Sequence, residues 1–143
     1  LSDSQDTLSE GERALQKLLR IWTLLFAAGA VSFAVDPDRS TASLNLLPGP
    51  SLPRSSEKYW NALAVSLMAT LTTMCAMAST DVRRRRAFVW PVLVSKAVSS
   101  GMFVRRFTEQ RRTPYLVGAA VDGSIFVVTA RALIASRGGR RGR

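Results

Sequence analysis

Lys96 stands alone in the stretch "VSKAVSSG": no other charge lies between Ala87 and Val104. Asp122 is likewise the single charge between Tyr115 and Ala130. Ser99 and Ser100 follow the lysine closely. An amine, a carboxylate and two hydroxyls could support three kinds of chemistry. The lysine and the acid could pair and fix helix register. They could line an intramembrane path for a ligand or a proton, because ionisable residues inside membranes often mark such paths. Lys96 could also act as base to Ser99 or Ser100 in a hydrolase. That last role needs a neutral amine, and a nearby carboxylate favours the charged form. A transporter would normally add broken helices or an internal repeat, and neither is visible. The structural reading therefore comes first.

Composition removes other chemistry. The chain has no histidine and one cysteine, Cys75. It cannot by itself supply two imidazoles to a haem, a His-based metal site or a Ser-His pair. It has no partner for a disulfide. No cofactor is expected from this chain, although a bound lipid or quinone would be compatible with it. Met68, Met74 and Met77 read as adaptable packing rather than a copper site, which would usually add Cys or His. No catalytic or metal-binding set emerges, and the chain reads as a non-enzyme.

The elements that must position Lys96 and Asp122 follow from hydropathy. The 143 residues are 47% hydrophobic yet carry a net charge of +10. The apolar residues fall into four blocks with the charges mainly between them, as in a small polytopic membrane protein. The spans are expected near 17–35, 59–80, 87–104 and 115–131. A polar tail (1–8) precedes them, a proline-rich loop (36–58) separates the first two, and a basic tail (137–143) ends the chain. "SEGE" at Ser9–Glu12 fits a capping box, and Asp36-Pro37 ends the first helix. "LNLLPGP" within the loop could dip into the interface. Tyr59 and Trp60 open the second span, and Trp22 and Trp90 also read as interfacial anchors. The second block is apolar on every side, whereas a soluble surface helix would show a polar face. The expected fold is all-α: a four-transmembrane-helix bundle with both termini cytoplasmic. The chain opens on Leu1, which fits a processed N-terminus or a piece of a longer product.

Orientation rests on the positive-inside rule. With the N-terminus inside, Arg13, Lys17, Arg20, Arg83, Arg84, Arg85, Arg86, Arg131, Arg137, Arg140, Arg141 and Arg143 are inner. Arg39, Arg54, Lys58, Arg105, Arg106, Arg111 and Arg112 are outer. The majority favours a cytoplasmic N-terminus. The tight basic loop 105–112 runs against the rule and calls for an acidic partner or anionic lipid. Arg83 to Arg86 read as a topology signal that can touch anionic headgroups. The tail "RGGRRGR" fits lipid contact better than nucleic acid.

Depth matching joins the two charges. Spans three and four form a hairpin centred near residues 109–110, so Lys96 lies level with about residue 123, beside Asp122. An unpaired charge at that depth costs roughly 2.5–3.5 kcal/mol. By the same reasoning Lys96 lies level with about residue 71 of the second span. There Ser66, Thr70 and Thr73 form a hydroxyl-rich face expected to adjoin it. Ala119 and Gly123 offer close approach on the fourth span, and Ala28 and Ser32 on the first.

The expected function is that of a small non-catalytic subunit, an accessory or scaffold that stabilises or anchors a larger membrane complex. Its partners would be other membrane subunits or further copies of itself. The alternative is a carrier or binding protein for a lipid, quinone or apolar solute, using Lys96 and Asp122. A bacterial inner (plasma) membrane suits the arginine bias, and an organelle inner membrane would suit it too.

Overall fold

The computed structural model describes residues 8–46 and 58–138, without the side chains of residues 58–60. The N-terminal tail, "LNLLPGP" beyond Leu46, the side chains of the Tyr59 and Trp60 anchors and the basic tail beyond Gly138 lie outside what is described. The element order is α1 (Glu10–Val35), α2 (Pro37–Leu44), α3 (Lys58–Thr80), a 3-10 turn (Arg86–Phe88), α4 (Val89–Gln110) and α5 (Thr113–Gly138). No strand occurs among the described residues.

Four of these helices, α1, α3, α4 and α5, are long and apolar enough to cross a membrane. The shortest, α4, has 22 residues, which rise about 33 Å and match a hydrocarbon core of roughly 30 Å. α1 begins where the capping box predicts. Ser9 Oγ accepts the Glu12 N–H at 3.2 Å, and Glu12 Oε2 accepts the Ser9 N–H at 2.9 Å.

Two connections differ from the sequence reading. The expected loop 36–58 contains α2. Asp36-Pro37 stops α1 and also starts a helix: Asp36 Oδ1 accepts the Arg39 N–H at 2.8 Å, and Pro37 occupies the first turn. Proline is tolerated there because its missing N–H would be unsatisfied anyway. The expected loop 105–112 is mostly helix. Glu109 accepts Arg105 one turn earlier (2.9 Å) and Arg106 (3.1 Å), so α4 continues to Gln110. Only Arg111 and Arg112 form the connection. Arg111 ends α4 in the left-handed region (φ 52°, ψ 32°), with its N–H on the Phe107 carbonyl at 2.8 Å.

α1 packs chiefly on α3, and α4 on α5; α1 against α5 joins the two pairs. α3 and α4, although consecutive long helices, touch little. The core sits toward one end of the molecule. It comprises Leu15, Leu19 and Phe26 of α1, Leu71, Cys75 and Ala78 of α3, Val82, Val89, Val92 and Leu93 around the α3–α4 connection, and Ile125 and Leu133 of α5. Beyond Phe26 in α1, before Leu71 in α3 and after Leu93 in α4, no described residue is fully buried. The core is therefore concentrated at the end holding the α3–α4 connection; toward the α4–α5 turn, Pro114 and Ala119 of α5 are the buried residues among those described.

Candidate functional site

Lys96 on α4 and Asp122 on α5 meet, with Nζ 2.9 Å from Oδ1. Their side chains are 13% and 12% exposed. The antiparallel pairing of α4 and α5 sets them at one depth, and three small residues let the helices close. Ser100 Oγ donates to the Ala119 carbonyl at 2.9 Å. A methyl on Gly123 would lie 3.2 Å from Ser100 Oγ, and one on Gly118 would lie 3.0 Å from the Phe103 ring. Asp122 receives a second hydrogen bond from Ser99 Oγ. Lys96 Nζ also lies 4.8 Å from the centroid of the Phe26 ring of α1. A cation over an aromatic face gains further electrostatic stabilisation once it is out of water. Phe26 was not singled out from sequence, since an aromatic in an apolar run carries no signal of a charged neighbour.

This cluster is closed on itself. The lysine faces a carboxylate and a ring, and the carboxylate faces an amine and a hydroxyl. Ser99 Oγ donates to Asp122 and, at 3.4 Å, to the Lys96 backbone carbonyl, and Ser100 Oγ donates to the Ala119 carbonyl, so neither hydroxyl is bonded to the Lys96 amine.

The hydroxyl-rich face of α3 does not join the cluster. Ser66, Thr70 and Thr73 are exposed, and their hydroxyls donate back to the carbonyls of Leu63, Ala69 and Ser66 within their own helix: Ser66 to Leu63, Thr70 to Ser66 and Thr73 to Ala69. Leu71, Cys75 and Ala78 take the inward face instead. At 3.6 residues per turn, Ser66 and Thr73 lie on the opposite side of the helix from Leu71. Ala28 and Ser32 of α1 also face outward.

A second polar cluster lies at the end holding the α3–α4 connection. The Arg83–Arg86 run divides by side. Arg83 Nε and Nη2 contact Glu12 Oε1 and Oε2 at 2.9 and 3.0 Å. Arg86 Nη2 approaches Glu12 Oε1 at 3.6 Å and donates to the Ser136 carbonyl at 3.4 Å. Arg84 and Arg85 are exposed, and Arg84 reaches Asp81 only at 3.8 Å. Of the four, then, two turn inward to Glu12 and two are exposed. Glu12 is 4% exposed; its sequence signal was the capping box alone, which explains its backbone bond but not its two arginines. Arg86 Nε is the only buried side-chain nitrogen or oxygen without a partner among the described residues. Gln16 Nε2 donates to the Ser79 carbonyl at 2.9 Å, tying α1 to α3 in the same region.

Two tryptophans differ in role. Trp22 is part-buried, and its indole N–H donates to Thr129 Oγ1 on α5 at 3.0 Å, so it fastens helices rather than only marking an interface. Trp90 is half exposed, with the Arg137 guanidinium 5.8 Å from its ring.

No protein-family model, curated protein or solved structure matches the chain. What the chain defines is a class: an all-helical bundle with four helices able to cross a membrane, closed around an internal Lys–Asp pair.

Proposed function

We propose that the protein is a non-catalytic integral membrane protein, an accessory or scaffold subunit that packs against partner helices in a larger membrane complex. The observation that carries this reading is the outward face of α3. Ala62, Ser66, Ala69, Thr70 and Thr73 are all exposed. Small residues on a lipid-facing helix allow another helix to approach closely. The hydroxyls bond their own backbone, so the face can meet either lipid or a partner without an unsatisfied group. The partner is another membrane subunit or a further copy of this chain.

On this reading both termini are cytoplasmic and the membrane is a bacterial inner membrane, from the arginine count. The alternative, a carrier or a binder of lipid, quinone or apolar solute at Lys96 and Asp122, has less support because each charge is already met by the other. An apolar groove of about 510 Å³ lies elsewhere, between α1 and α3, lined by Phe33, Ala34, Pro37, Asn61, Ala62, Val65 and Ser66.

Cross-linking tests the proposal. In a Cys75→Ala background, Ser66→Cys and Thr73→Cys are expected to cross-link to another membrane protein or a second copy in native membranes. Leu24→Cys, which is also exposed, on α1, is the control. A chain that runs as a monomer in mild detergent, with no α3-specific cross-link, defeats the subunit reading.

A further inference from the structure

The α4–α5 turn holds the charge that the topology count left unexplained. Arg105, Arg106, Arg111 and Arg112 gather there with a single acid, Glu109. Four arginines against one glutamate leave three net positive charges. Glu109 holds Arg105 and Arg106 side by side, at 2.9 and 3.1 Å. Arg111 and Arg112 pair with no carboxylate among the described residues.

Arg111 carries a second signal. It occupies the left-handed helix-end position that glycine fills best, so the arginine sits there against a backbone preference. Its guanidinium lies 5.8 Å from the centroid of the Phe107 ring. Along the helices away from the turn, the outward surface is apolar: Met102, Val104 and Leu116 are exposed. Phe103 and Tyr115 pack together at the same level, with ring centroids 6.4 Å apart.

A basic crown above an apolar flank matches a molecule with an anionic head and apolar tails. Guanidinium groups bind phosphate oxygens through paired, charge-assisted hydrogen bonds, and basic residues next to a membrane attract anionic lipid. An acidic protein segment would meet the charges but leave the apolar flank unused. We propose that the α4–α5 turn is a binding site for an anionic phospholipid. Arg111 and Arg112 take the headgroup phosphate, Arg105 and Arg106 border it, and the acyl chains lie along the apolar surface of α4 and α5. The site is independent of whether α3 carries a partner helix.

The test uses the whole chain in neutral detergent, carrying Arg84→Gln and Arg85→Gln to remove two exposed arginines of the α3–α4 connection at the opposite end. Phosphatidylglycerol and phosphatidylcholine are titrated separately, and bound lipid is counted by native mass spectrometry. The protein is expected to retain phosphatidylglycerol preferentially. Adding Arg111→Gly and Arg112→Gln is expected to weaken that binding roughly fivefold per arginine removed. Because Arg111→Gly relieves the left-handed backbone, thermal melting of this variant should not fall, which separates lost binding from lost folding. Unchanged phosphatidylglycerol retention in the variant overturns the proposal. So does a starting protein that ignores phosphatidylglycerol and binds polyglutamate, which would assign the turn to an acidic protein segment.

Discussion

Gly11 and Ala135 bring the backbones of α1 and α5 together: a methyl on Gly11 would sit 2.7 Å from the Ala135 carbonyl oxygen and 2.8 Å from its carbon. Neither obstacle is the end of a flexible side chain, so a larger residue must push the helices apart. Gly11→Ala is expected to destabilise the protein by about 1–3 kcal/mol. Gly101→Ala is the matched control, with nothing within 4 Å of its new methyl. It should be neutral or stabilising by about 0.5–1 kcal/mol through helix propensity. Thermal unfolding of both variants in mild detergent checks the contrast. Equal effects would contradict the close approach of α1 and α5.

The Lys96–Asp122 pair predicts a non-additive mutant cycle. Lys96→Met leaves a buried carboxylate, and Asp122→Asn leaves a buried ammonium. Each is expected to cost about 3–5 kcal/mol, because removing one partner strands the other. The double variant should recover much of that loss. Ser99→Ala should cost less, about 1.5–3 kcal/mol, since Lys96 still meets Asp122. Denaturant unfolding in detergent measures all four variants. Additive single effects would mean that the two charges do not interact.

Glu12 predicts a local effect at the end holding the α3–α4 connection. Glu12→Gln removes the charge that faces Arg83 and Arg86 and is expected to cost about 1–3 kcal/mol. Glu10, exposed on the same turn, is the control, and Glu10→Gln should change stability by less than about 0.5 kcal/mol. Hydrogen exchange should rise in residues 82–88 of the Glu12 variant and remain unchanged near the α4–α5 turn. Faster exchange along the whole bundle would contradict a local clasp.

Trp22 predicts a spectroscopic change together with a stability change. Trp22→Phe keeps the apolar ring but removes the donor to Thr129, which is fully buried. The expected loss is about 1 kcal/mol. In a Thr129→Val background the same substitution should cost less, because the shared hydrogen bond is already gone. Trp22 emission should shift in Thr129→Val when read in a chain with Trp60 and Trp90 replaced by Phe. An unshifted spectrum would contradict the bond.

Much of the helical layout was legible because its signals are local. The Ser9–Glu12 box and the long uncharged blocks are read a few residues at a time. The level of Lys96 with Asp122 followed from hairpin symmetry, since antiparallel helices place residues equidistant from a turn at one depth. α2 escaped the reading because Asp36-Pro37 serves equally as a helix stop and a helix start. The extent of α4 is not legible from composition, because Arg105 and Arg106 are as basic as loop residues and their pairing with Glu109 exists only once the segment is helical.

The sequence by itself determined four apolar segments, an all-helical fold and two isolated charges at matched depth, all properties of composition and spacing along the chain. Only the tertiary structure decided which helices are neighbours and which faces turn inward. In a helix that is apolar all round, no polar stripe marks the outside, and hydroxyls that bond their own backbone can face either way. Thus Ser66, Thr70 and Thr73 turn outward while α3 packs on α1, and Arg83 and Arg86 turn inward because the fold carries Glu12 to them from the start of the chain.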